Sequence, residues 1–159
     1  MVQIMAKRLS AQDWIDFAMA TLAREGFDAL KADVLARKLG VSRGSFYWHF
    51  TGLDDFHRKI IDRWKQLATD SIIVEIERFE APEQRLNALL RIAFEGGSGL
   101  EPRMRAWADN NIAAAQAVSA IDRRRQEYIE RLLVEAEVPQ PTAKTRAQLL
   151  YWTYLGAVS

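Results

Sequence analysis

The sequence predicts an all-α protein, a three-helix head followed by a helical body. Apolar side chains recur at three- and four-residue spacing along the chain, and no stretch alternates as a half-buried strand would. Glycine and proline fall between these periodic stretches, where helices start and stop. The stretch Lys31–Phe50 reads as two short helices around a tight turn, and the rest of the chain is organised about it.

The head begins after a flexible arm, residues 1–8, whose Lys7 and Arg8 either follow a DNA backbone or are simply solvated. Ser10-Ala11-Gln12-Asp13 resembles a capping box, with Leu9 and Trp14 at the staple positions. The first helix runs to Glu25 with Trp14, Ala18, Thr21 and Leu22 inward, and Gly26 ends it. Phe27 and Leu30 then seal the head's core. In the next helix Leu35 and Leu39 stand at i and i+4, with small Ala36 allowing a close crossing. Gly40 supplies the left-handed stop, Val41 plugs the corner, and Ser42 is placed as an N-cap with a hydroxyl for an orphan N–H.

The second helix of this pair points Phe46 and Phe50 to one side. Gly44 and Trp48 lie opposite, flanked by Ser45 and Tyr47. A buried structural corner has no use for such an outer face. A helix seated in a DNA major groove does: Gly44 lets the backbone approach, and the others reach phosphates and base edges. Tyr47 suits a phosphate, and Trp48 a thymine methyl or a sugar. His49 lies nearer the inward side, where packing or a backbone hydrogen bond competes with base reading.

Gly40-Val41-Ser42-Arg43-Gly44-Ser45-Phe46-Tyr47-Trp48-His49-Phe50 closely resembles the recognition-helix signature of the tetracycline-repressor (TetR) family of bacterial regulators. Residues 9–65 resemble that family's three-helix DNA-binding head, and the helical remainder is compatible with its ligand-binding and dimerisation body. Members usually carry Thr or Ser where Lys31 stands, and often Lys where Leu53 stands. The first change weakens a cap and the second removes a phosphate contact. The DNA-contact set implied here is Lys31, Ser42, Arg43, Gly44, Ser45, Tyr47, Trp48 and His49.

The domain boundary is expected at residue 52, with the motif at 31–50 and the body at 53–159. A long helix from about Leu53 to Phe79, with Phe56, Ile60, Trp64 and Leu67 as its apolar stripe, links the two parts. Pro82 restarts the chain into a helix carrying Leu86, Leu89, Leu90, Ala93 and Phe94, followed by a flexible Gly96–Gly99 loop. From Pro102 a further helix is expected to run through Ile112 and Ala115, with Asp109-Asn110-Asn111 in its middle. The next, from about Ser119 to Glu137, turns Arg123, Arg124 and Arg125 outward, as a solvated face or as interface salt bridges. Pro139 and Pro141 stop it. The last segment, Thr142 to Ser159, breaks off in mid-helix, so the chain is expected to continue. The resemblance implies that these last two helices pair with their copies in a homodimer, through Leu149, Trp152, Tyr154 and Gly156.

Composition narrows the function. The absence of cysteine excludes disulfides, thiolate metal sites and cysteine nucleophiles. His49 and His57 have no metal-ligand cluster beside them, and no cofactor motif or catalytic constellation is evident. No apolar run is long enough to span a membrane, and the start is too short and polar for a secretion signal, so a cytoplasmic location is expected. Residues 1–65 carry 11 Lys/Arg against 8 Asp/Glu, and residues 66–159 carry 11 against 13. The surplus of positive charge thus sits with the motif.

In the body, Trp64, Phe94, Met104 and Trp107, with Asn110 and Asn111 as orienting groups, either line an effector pocket or form ordinary core. The expected function is a ligand-responsive repressor, binding double-stranded operator DNA as a homodimer and answering a small-molecule effector. The rivals are a constitutive DNA-binding activator without an effector site and a helical protein-interaction module.

Overall fold

The computed structural model describes residues 9–95 and 99–158; Lys7, Arg8 and most of the expected Gly96–Gly99 loop lie outside the described residues. All regular structure among them is helical. The chain forms two compact units, Met1–Ile60 and Ile61–Ser159. The first unit includes the opening turns of the linking helix, where Phe56 and Ile60 are fully buried.

In the first unit, α1 (Ala11–Glu25) starts with a closed capping box. The Asp13 N–H donates to Ser10 Oγ at 3.2 Å, and the Ser10 N–H to Asp13 Oδ2 at 2.7 Å. Trp14, Ala18, Thr21 and Leu22 form its fully buried stripe as expected. Thr21 tolerates burial because its hydroxyl donates to the Phe17 carbonyl at 2.9 Å. A short 3₁₀ turn, Phe27–Ala29, leads to α2 (Ala32–Leu39). There Leu30 is buried while Phe27 stays partly exposed, its ring edge-on to His57 at 5.1 Å.

At the end of α2 the Val41 N–H reaches the Ala36 carbonyl at 3.0 Å, and the Gly40 N–H reaches Arg37 at 3.2 Å. With Gly40 left-handed at φ 70°, this is a Schellman stop, in which Val41 comes back against Ala36. α3 follows at Arg43–Tyr47 and is shorter than the sequence suggests, since the chain turns at Trp48 and His49.

The linking helix is not uniform. It comprises α4 (Leu53–Lys65), a π turn (Gln66–Asp70) and α5 (Ser71–Ile76), ending three residues before Phe79. The extra residue in the π turn shifts the helical phase. The expected stripe holds through Phe56, Ile60 and Trp64, but Leu67 is 40% exposed, and Thr69 and Ile76 take the buried positions beyond.

The second unit contains α6 (Pro82–Glu95), α7 (Leu100–Ala108), α8 (Ile112–Glu135) and α9 (Gln140–Val158), with α6, α7 and α9 packed against α8. Ile129, Leu133, Ala143, Ala147 and Tyr151 join α8 to α9; Ile76, Ala88, Tyr128 and Leu132 join α5 and α6 to α8. Glu77 fastens the latter group, accepting from Tyr128 Oη at 3.0 Å and Arg131 Nη2 at 2.7 Å.

The Asp109-Asn110-Asn111 stretch breaks the helix expected to contain it. Asn111 is extended and its side chain accepts the Ala114 N–H at 2.9 Å, so it caps α8 and leaves Ile112 79% exposed rather than inward. α8 ends in a second Schellman stop, Val138 N–H to Leu133 and Glu137 N–H to Val134, each at 3.0 Å. Here the left-handed residue is Glu137, φ 63°, and not a glycine.

Candidate nucleic-acid interface

The site is built on α3, and its scaffold is aromatic. Phe46 is fully buried and meets Trp14, Phe50 and Phe56 with ring centroids 5.5, 5.0 and 5.1 Å apart. Phe50 packs on Phe56 at 4.7 Å, and Lys59 Nζ stands 5.2 Å over its ring. A helix of five residues has too few internal hydrogen bonds to hold itself. Rings from α1, from α4 and from Phe50 just after α3 close around Phe46 and fix it instead.

With Phe46 and Phe50 inward, the opposite side is bare. Trp48 is 86% exposed and Tyr47 52%, and Ser42, Arg43 and Gly44 are exposed beside them. A Cβ at Gly44 would meet only Ser42 Oγ at 3.7 Å, so nothing in the fold itself requires glycine there. Ser42 has the extended backbone of an N-cap, but its hydroxyl makes no capping bond. The expected cap is thus absent, and the Ser45 N–H goes to the Ser42 carbonyl at 3.0 Å. The hydroxyl is left facing out.

Arg43 Nη2 donates to Tyr47 Oη at 3.1 Å, and its guanidinium lies 5.7 Å from that ring's centroid. That hydrogen bond raises the Arg43 pKa, and the guanidinium, charged in any case, is held beside the Tyr47 ring. Ser45 and His49 are half-buried, His49 with its ring edge-on to Phe50 at 6.1 Å. Lys31 is exposed at the start of α2, extended and with no side-chain cap, as a lysine at that position implies. Behind the face, His57 Nε2 is 3.3 Å from the Leu30 carbonyl. Burial pushes its pKa below the ordinary imidazole value, against opposing pulls from that carbonyl and from Asp54.

The body residues named from the sequence fare unevenly. Trp64, Met104 and Trp107 are buried, whereas Phe94 is 46% exposed, edge-on to Tyr154 at 6.4 Å, and Asn110 is exposed. Asn111 is engaged as the α8 cap.

Sequence reasoning missed the most prominent polar feature of this unit. Arg125, expected outward, is drawn in, and it grips both oxygens of Glu101 at 3.1 Å. Arg105 joins the same Glu101 to Asp122 Oδ1 at 2.6 Å, and Tyr151 Oη donates to that Asp122 oxygen. Burial acts to lower the Arg125 pKa, but the Glu101 carboxylate outweighs it and the net shift is upward. A signal existed: Glu101 and Arg105 lie at i and i+4 on the same side as inward Met104.

Residues 15–56 match the family model of bacterial regulatory proteins, tetR family. An uncharacterized HTH-type transcriptional regulator of Mycobacterium tuberculosis is 34% identical over 86 residues, which are 54% of this chain and 38% of that protein. Solved structures share the fold at low identity. A protein described as a transcriptional regulator from Saccharomonospora viridis, in complex with choline, superposes with a TM-score of 0.80 at 16% identity, covering 93% of this chain and 82% of that one. A TetR-family transcriptional regulator from Agrobacterium tumefaciens gives 0.73 at 18% identity, with 92% and 86% covered. The ketosteroid transcriptional regulator of Mycobacterium tuberculosis gives 0.68 at 15%, with 98% and 83% covered.

Proposed function

We propose that this chain is a regulator of the tetR family, which its residues 15–56 match, and that it represses transcription by binding a near-palindromic operator as a homodimer and releases it when a small molecule enters the body. One observation carries the DNA-binding part. α3 is pinned from behind by Trp14, Phe50 and Phe56 while Gly44, Tyr47 and Trp48 stand clear of the fold. A protein gains nothing in stability from an 86% exposed tryptophan. It gains a contact surface, and the adjoining Arg43–Tyr47 pair and Ser42 hydroxyl supply phosphate contacts.

The dimer reading rests on α9. Leu149 and Trp152 are 55% and 59% exposed, three residues apart, and a Cβ at Gly156 would meet nothing within 4 Å. These residues share one outward strip that a second copy would cover. Tyr154, expected in the same face, points inward, under the Arg125 guanidinium at 5.5 Å.

The effector reading rests on large buried side chains in the body, Trp64, Met104 and Trp107, and on the choline bound to the Saccharomonospora viridis neighbour. An effector acts only through different affinities for the DNA-binding and released states.

Selection of bound sequences from a random duplex pool, followed by footprinting, tests the core of this reading. The expected product is an inverted repeat with half-site centres about 35 Å apart or somewhat more. Recovery of no enriched sequence, or of a single asymmetric site, would refute it.

A further inference from the structure

Leu67 and Thr69 differ sharply in exposure where the linking helix widens. Along an unbroken α-helix the stripe of Phe56, Ile60 and Trp64 continues at Leu67. In the structure Leu67 is 40% exposed and Thr69 is 3% exposed, because the chain widens there into the π turn Gln66–Asp70, where the Ser71 N–H bonds the Gln66 carbonyl five residues back. By hydrophobic burial alone leucine is the better occupant. Something else must favour threonine.

That agent is Arg125 of α8. Its Nη2 donates to the Ala68 carbonyl at 3.0 Å, and its Nε to Thr69 Oγ1 at 3.3 Å. The same guanidinium is held from the other side by both Glu101 oxygens at 3.1 Å. The two side chains are only 14% and 8% exposed. Arg105 steadies Glu101 at 2.8 Å and is in turn held by Asp122 and Tyr151. The π turn is therefore gripped at its own carbonyl by a charge network built from α7, α8 and α9, all within the second unit.

We propose that the π turn Gln66–Asp70 is a two-register switch latched by Arg125. With the latch closed Thr69 faces inward; with it open Leu67 takes the buried position and the phase of α4 relative to α5 changes. This deepens the regulatory reading above and rests on it for its meaning. The setting of the turn would be the regulated quantity, and an effector would act by drawing Arg125 away from the Ala68 carbonyl.

The chain has no cysteine, so Leu67→Cys introduces a unique thiol. Its alkylation rate reports whether position 67 is exposed, and needs neither DNA nor effector. The rate is measured in full-length protein with Arg125 intact, with Arg125→Met, and with Arg125→Lys, which keeps the charge beside Glu101 but loses the fork that spans to the turn. Opening the latch should slow alkylation at least tenfold in both variants. Loosening or unfolding would speed it, so a slower rate has one source. An unchanged or faster rate, including one from a variant that does not fold, overturns the switch and makes Arg125 a brace. A slower rate in a protein that selects no operator would keep the switch and remove the DNA-binding reading.

Discussion

Phe46→Ala and Gly44→Glu, on the same short helix, should fail in opposite ways. Phe46 is fully buried among Trp14, Phe50 and Phe56, all within 5.5 Å by ring centroid. Truncating such a ring costs about 3–5 kcal/mol, and the upper end applies here because aromatic pairs are worth about 0.5–1.5 kcal/mol each beyond their burial. A unit the size of Met1–Ile60 commands on the order of 3–9 kcal/mol in total. The variant should therefore lose most of the head's stability, and its DNA binding only as a result.

Gly44 is exposed, has no positive φ, and offers a new Cβ only an ordinary contact with Ser42 Oγ at 3.7 Å. Gly44→Glu should melt as the parent does while abolishing operator binding, through bulk and negative charge against phosphate. Urea and thermal melts followed by circular dichroism, paired with operator titrations at a temperature where the parent is folded, separate the two. An early melt for Gly44→Glu together with normal DNA binding by Phe46→Ala would refute the assigned phase of α3, and with it the DNA-facing side.

Four further outcomes follow from the geometry. Tyr47→Phe should leave the melt unchanged and cost about 1 kcal/mol of affinity on every sequence alike, as loss of one phosphate hydrogen bond would; a loss confined to one operator position would mean base reading instead. His57 should make the head acid-sensitive. Its folded pKa lies below the ordinary value near 6.5, so as pH falls the unfolded chain takes the proton first. Stability should decline as pH drops through about 6.5 towards the folded value and then level off, and melts of His57→Gln across that window should be flatter. Trp152→Glu should turn a dimer into a monomer in sedimentation at micromolar concentration without lowering the melt of the body, because Trp152 is 59% exposed in the single chain. Glu137→Gly should raise the body's melting point, since it relieves a left-handed non-glycine residue at a cost on the order of 1 kcal/mol; a lower melting point would show that the glutamate side chain contributes more than the strain removes.

The head was legible in the sequence because its determinants are local. Ser10 and Asp13, three residues apart, close a capping box, and Gly40 ends α2 in a conformation few other residues adopt cheaply. Phe46 and Phe50, four residues apart, mark the inward side of this segment, although Phe50 lies beyond the end of α3. The body was less legible, for reasons that are tertiary. A π turn differs from an α turn by one residue and leaves no compositional trace, and what favours it here is an arginine 56 residues away in sequence from the threonine it reaches. Read locally, Arg123, Arg124 and Arg125 are alike; only the fold brings Glu101 to Arg125, and leaves Arg124 to a surface pair with Asp70. Asn111 looked like a weak residue inside one helix and is the cap of the next. Glu137 ends α8 where no glycine marks the place, because Val138 packs into the core of α8 and α9 and holds the turn. Helical periods and caps are set by neighbours within a turn of each other, and the sequence records them. A buried charge depends on the partner that neutralises it, and only the tertiary structure decides which partner that is.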